Sequence, residues 1–229
     1  MSILSNFLRT DRRCLWKFVF NFGLKGWLGF LKFEKRKKKG EMFPAFQFIS
    51  VTNDCNLKCQ GCWVSTGEKK ESLDIDKIHH IIEESKRYGS YYFGILGGEP
   101  LVYKQLLDIF RKHPDCYFQL FTNGTLFTDQ LASELRKLGN VTPLFSFEGD
   151  EEVADIRRGG NHVFRRTMQS IERQQRINLL QELRSVYASQ TLKWRYHLNS
   201  FNLCTTKEYF IYGIISFVRL EKTPVMSWL

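Results

Sequence analysis

Cysteine is too thinly and unevenly spread along these 229 residues to build a disulfide scaffold. Of six cysteines, Cys55, Cys59 and Cys62 crowd into eight positions, while Cys14, Cys116 and Cys204 stand alone. Secreted disulfide frameworks are shorter and denser in cysteine, so this usage points to a reducing, cytoplasmic setting and a metal-type cluster. Long unbroken apolar runs are also missing. The aromatic stretch Leu15–Phe33 is interrupted by Lys17, Lys25 and Lys32, which argues against a bilayer span, and no small-residue cleavage site follows it, which argues against a secretory signal. Basic charge is scarce where a nucleic-acid-binding domain would need it. The chain carries +10 overall, but residues 1–40 hold eleven Lys/Arg against Asp11 and Glu34, and residues 176–229 hold seven against three acids. The stretch between them is mildly acidic, so the basicity belongs to the ends and no nucleic acid partner is expected.

With 43% apolar residues the chain can build one sizeable core. Three regions are expected: a basic aromatic segment over 1–42, a core over 43–175, and an atypical tail over 176–229. The aromatic run ending in the block Lys35–Lys39 reads either as a helix packed onto the domain or as one meeting a membrane surface or partner through residues 15–39, which would place the protein peripherally at a membrane. From Phe46 a regular alternation begins. Strands are expected at Phe46–Val51, Tyr91–Leu96, Cys116–Phe121 and Thr142–Phe147. Helices are expected near Ile75–Tyr88, Lys104–Lys112, Asp129–Leu138 and Val163–Gln175. Four such units imply an α/β fold with parallel strands, either doubly wound or part of a (β/α) barrel. Both architectures put their chemistry at the carboxyl ends of the strands.

The first strand runs directly into Cys55-Asn-Leu-Lys-Cys59-Gln-Gly-Cys62. Three thiolates at these spacings can hold three corners of a cubane iron–sulfur cluster and leave its fourth iron open to a small molecule. Zinc would need a fourth ligand, for which His79 and His80 on the following helix are the nearby donors. Gly97-Gly98 after the second strand permits close approach to the backbone, although such a pair also makes an ordinary turn. Glu99 either orients that turn or faces solvent. Asn123-Gly124 by itself reads as a turn. Ser146 and Glu148 alternate with Phe145 and Phe147, so they share the face away from the core. Arg157 or Arg158 suits either a carboxylate contact or an exposed charged loop. Cys116 reads as a small buried residue.

The CxxxCxxC loop followed by Trp63 resembles the signature of the radical S-adenosylmethionine (SAM) superfamily. Gly97-Gly98-Glu99-Pro100 is similar to that family's GGEP turn, Thr122-Asn123-Gly124 to its TNG turn, and Ser146–Gly149 to the strand end that reaches the SAM ribose and carboxylate. The resemblance covers roughly Phe43 to Gln175. It implies a partial (β/α) barrel in which Cys55, Cys59 and Cys62 bind a [4Fe–4S] cluster. Gly97, Gly98, Glu99, Pro100, Asn123, Ser146 and Glu148 would then contact SAM. It also implies reductive cleavage of SAM to a 5′-deoxyadenosyl radical, an electron donor such as flavodoxin or ferredoxin, and a substrate that the motifs do not specify.

Residues 176–229 depart from that pattern. Gln181–Ser189 shows no strand period, only Tyr209–Val218 reads as a buried strand, and Cys204 is isolated. The core is therefore expected to be incomplete at its C-terminal side, through truncation or a shifted reading frame, the alternative being a divergent, naturally short C-terminus. The alternative to an enzyme is a non-catalytic relative, or a zinc- or partner-binding protein.

Overall fold

The computed structural model describes residues 9–62, 64, 69–147, 149–179 and 182–185. Trp63, Glu148, Cys204 and the expected strand Tyr209–Val218 lie outside them. The chain enters through α1 (Arg12–Lys17), continues through a π-helical stretch (Phe18–Leu24) and passes directly into α2 (Lys25–Lys37). One face of this rod is fastened to the domain. Asn21 is buried and its amide donates to the carbonyls of Pro114 and Cys116, both at 3.1 Å. The rings of Phe18 and Phe22 pack edge-on against Tyr117 and Tyr92, respectively. Gly29 lies so close to Gly89 that an added Cβ would sit 2.3 Å from the Gly89 carbonyl oxygen. The reading of a helix packed on the domain therefore holds for this face.

Among the described residues five parallel strands follow: β1 (Gln47–Ser50), β2 (Tyr92–Leu96), β3 (Tyr117–Thr122), β4 (Val141–Phe147) and β5 (Glu182–Ser185). Their spatial order is their sequence order, β1-β2-β3-β4-β5. A doubly wound sheet reverses direction at a switch point, and this one does not. The winding is that of a partial (β/α) barrel, which settles the choice that periodicity left open. Between the strands run α3 (Ile75–Arg87), a 3₁₀ turn (Pro100–Val102) with α4 (Leu106–Lys112), α5 (Asp129–Leu138), α6 (Glu151–Arg158) and α7 (Val163–Arg176).

Alternation along the strands sorts the side chains. Ile49, Phe93, Ile95, Phe118, Leu120, Val141 and Phe145 point to the helices, where they join Ile78, Ile82, Ile109, Phe110, Leu135 and Ile171 in one buried core. Helix starts follow local chemistry. The Asp74 carboxylate accepts from the amides of Asp76 and Lys77, and the Thr128 hydroxyl accepts from Leu131.

Two features differ from the sequence expectations. The segment holding Arg157 and Arg158 is helical, capped by the Asp150 side chain at one end and left-handed Gly159 at the other, and Arg158 is buried. Its larger apolar residues, Val153 and Ile156, are exposed and its buried positions are Ala154 and Arg158, so no apolar stripe announces it. The second is β5, which pairs in parallel with β4 through Leu144↔Glu182 to Phe147↔Ser185 although its residues show no strand alternation. Pairing to a preformed edge supplies what pattern does not.

Candidate functional site

The loop Cys55–Cys62 leaves the carboxyl end of β1 and is held by the segments that follow the next three strands. The turn after β2 presses on its start: Gly98 N–H donates to Thr52 O at 2.7 Å and Glu99 N–H to Asp54 O at 2.8 Å. This contact explains the glycine pair. A Cβ on Gly97 would fall 2.3 Å from Thr52 O, and one on Gly98 would fall 2.2 Å from Asp54 O. The close approach that the glycines permit is made by the cysteine loop's own backbone.

The turn after β3 grips the middle of the loop. The Asn123 amide nitrogen donates to Asn56 Oδ1 at 3.0 Å, Asn56 donates to Thr125 Oγ1 at 2.8 Å, and Asn123 Oδ1 accepts from the Thr125 amide and hydroxyl. The same turn is fixed from behind by α7, where the buried hydroxyls of Thr167 and Ser170 donate to Asn123 O and Gly124 O at 2.8 and 2.7 Å. After β4, the end of α6 takes the third hold, with Gln60 N–H donating to Arg157 O at 2.7 Å.

Glu99 joins two of these turns. Its carboxylate is buried and accepts from Leu101 N–H (3.0 Å), Thr122 Oγ1 (2.7 Å) and Asn123 N–H (2.8 Å). Of the two roles open to it, orienting the turn is the one it fills. Burial pushes its carboxyl above the usual range, while those donors and the Arg158 charge pull the other way.

Cys55 and Cys59 are half-buried and Cys62 is exposed. Burial is the main force raising the Cys55 thiol. The Leu57 N–H donates to its sulfur at 3.4 Å and opposes the rise, whereas Glu99, Cys59 and Cys62 add to it. A cationic centre bound by the three sulfurs would favour their thiolate form. This donor set of three soft sulfurs on one loop fits an iron–sulfur cluster.

The expected zinc donors are elsewhere. His79 Nδ1 lies 2.9 Å from His113 Nε2 behind the sheet, and His80 is exposed on α3. Among the described residues, Glu151, Asp155 and His162 form a tight group with metal-ligand atoms. Its geometry already has an explanation, because Asp155 accepts from the amides of His162 and Phe164 while Glu151 pairs with Arg165. Ser146, near the carboxyl end of β4, is half-buried. Cys116 is fully buried in the core, as expected, and burial raises its thiol strongly.

Several residues that shape the site escaped sequence reading: Asn56, Thr167 and Ser170. A signal was present for the last two. They lie three apart on the face of α7 that also carries Val163 and Ile171, and polar residues on a core-facing stripe need internal partners.

Comparison with known proteins gives a consistent picture. A family model described as the Radical SAM superfamily matches residues 49–181, more than half of the chain. A GTP 3′,8-cyclase of Desulforamulus reducens is 33% identical over 136 residues, 54% of this chain and 42% of that protein. An AdoMet-dependent heme synthase of Methanosarcina barkeri is 34% identical over 131 residues, 53% of this chain and 36% of that protein. The chain therefore spans less than half the length of these relatives. Among solved structures, Streptococcus suis SuiB bound to S-adenosylmethionine superposes with a TM-score of 0.64 at 21% identity, covering 75% of this chain and 41% of that one.

Proposed function

Because this chain belongs to the radical SAM superfamily, whose members bind a [4Fe–4S] cluster and SAM, we propose that Cys55, Cys59 and Cys62 hold such a cluster with one iron left for SAM. The observation that carries this reading is the three-thiol loop held at the carboxyl ends of the strands by the turns after β2 and β3 and the end of α6. When bound, the two cofactors supply reductive cleavage of the sulfonium C–S bond and a 5′-deoxyadenosyl radical that takes hydrogen from a substrate. The chain's own residues divide the remaining work. The Gly97–Pro100 turn would offer backbone groups to the SAM amino group, while Ser146 near the carboxyl end of β4, and Glu148 after it in sequence, would supply polar groups for its ribose and carboxylate. Glu99 and Asn123 act as positioning residues, since their side chains brace the turns against one another and against the cysteine loop. The electron for that cleavage would come from a carrier of the flavodoxin or ferredoxin kind, in a reducing cytoplasm that keeps the thiols unoxidised.

The relatives' names mention GTP, heme and peptides, and a shared fold does not choose among such substrates. The test is anaerobic reconstitution with ferrous iron and sulfide, followed by SAM and dithionite. A brown protein with about four irons per chain that releases 5′-deoxyadenosine supports the reading, and Cys59→Ala should lose both properties. Stoichiometric zinc without iron uptake would overturn it. Iron and SAM binding without 5′-deoxyadenosine would reduce it to cofactor binding.

A further inference from the structure

The rod formed by α1, the π-helical stretch and α2 is apolar on two opposite faces, and the domain uses only one. Cys14, Asn21, Gly29 and Phe33 are buried against it. On the other face Trp16, Phe20, Leu24, Trp27 and Leu31 recur every three or four residues, widened by Val19, Leu28 and Phe30. These side chains are exposed, Trp16 by 64% and Trp27 by 60%. A helix packed on a domain needs one apolar stripe and normally turns a polar one outward. A contiguous exposed aromatic face marks a surface that another phase or molecule covers.

Charge chooses the occupant. Arg9, Arg12 and Arg13 are exposed at one end of the stripe, and Lys32, Lys35, Lys37, Lys38 and Lys39 at the other. The one acid at the amino end, Asp11, is already paired with Arg136 at 3.0 Å. A two-fold contact between copies through this face would bring the basic end of one copy onto a basic end of the other. An anionic lipid surface instead accepts the aromatic stripe between its headgroups and the lysines on its phosphates. The stripe from Trp16 to Leu31 runs about 22 Å along the rod. Among the described residues no helix is long and apolar enough to cross a membrane, so the rod would lie on the surface.

We propose that this face is a docking surface for anionic lipid bilayers. It is anchored to the fold through Asn21, Gly29 and Phe33, so docking would need no unfolding of the rod.

The test is co-sedimentation of the full chain with vesicles of phosphatidylcholine alone and of phosphatidylcholine mixed equally with phosphatidylserine, alongside tryptophan quenching by brominated lipids. Binding is expected to the anionic vesicles, with quenching that Trp16→Ser/Trp27→Ser removes. Lys35→Gln/Lys38→Gln/Lys39→Gln is expected to weaken partitioning about a hundredfold, at about fivefold for each basic residue. All the substituted side chains are exposed, and circular dichroism verifies that the variants fold. Absence of binding to anionic vesicles would overturn the proposal, as would variants that bind like the parent. A dimer in light scattering that Trp16→Ser/Trp27→Ser converts to monomer, without vesicle binding, would instead assign the face to a second copy. Vesicle binding needs no turnover, so its failure is separate from failure of the radical SAM reading.

Discussion

Replacing Gly98 with alanine tests whether the glycine pair serves the cysteine loop. The new Cβ would lie 2.2 Å from Asp54 O, 2.6 Å from Asp54 C and 2.7 Å from Asn53 O. All three are backbone atoms, so no side chain can swing aside, and the two segments must part by about 1 Å to reach ordinary contact. Parting breaks the Gly98–Thr52 and Glu99–Asp54 hydrogen bonds, worth about 1 kcal/mol each, and strands partners that are otherwise satisfied. The expected loss is about 2–4 kcal/mol, concentrated in the loop that carries Cys55. Urea unfolding measures the loss, and iron bound after anaerobic reconstitution reports its reach to the thiols. Gly26→Ala is the control: its Cβ would meet nothing within 4 Å, and helix propensity favours alanine there by up to about 1 kcal/mol. A Gly98→Ala protein with parental stability and full iron uptake would refute the argument.

Gly29→Ala should loosen the N-terminal rod, because its Cβ would lie 2.3 Å from Gly89 O; faster amide exchange over 12–37 in the variant than in the parent is the expected signature. Asp74→Ala should cost about 1 kcal/mol in urea unfolding, since it removes the oxygen that accepts from Asp76 and Lys77 at the start of α3. Burial pulls His113 down to about 4, so its neutral form supports the fold above the unfolded value of about 6.5. That support is lost as pH falls from the unfolded value through the folded one, and a His113→Asn protein should lack this part of the acid slope. Asn123→Ala should lower iron retention more than global stability, because its amide braces Asn56 within the cysteine loop.

The parts of the fold that were legible in the sequence are those that repeat. Ile75, Ile78 and Ile82 announce α3, and the expected Asp129–Leu138 helix agrees with α5 at both ends. The cysteine loop was legible because its spacing carries its chemistry. What stayed hidden depends on partners far away in sequence. The buried positions of α6 are Ala154 and Arg158, which make no apolar period, and β5 forms on the edge that β4 provides. Glu99 could have oriented its turn or met solvent; only the arrival of Thr122 and the Asn123 amide, more than twenty residues on, decides it. Sequence likewise left open whether the N-terminal aromatics pack on the domain, whereas the structure shows one half packed and the other half exposed.

The rod lies beneath the amino ends of β2 and β3, through Tyr92 and Tyr117, whereas the cysteine loop stands at the opposite ends of the strands. The six residues of β3 put about 20 Å between these levels. A molecule resting on lipid through its rod would stand like a lamp on its foot, with the reactive mouth turned away from the bilayer. Acyl chains would then lie out of range of a radical generated there. The compounds it could reach would arrive from the aqueous side, and the surface would set the protein's address and orientation without choosing among those compounds.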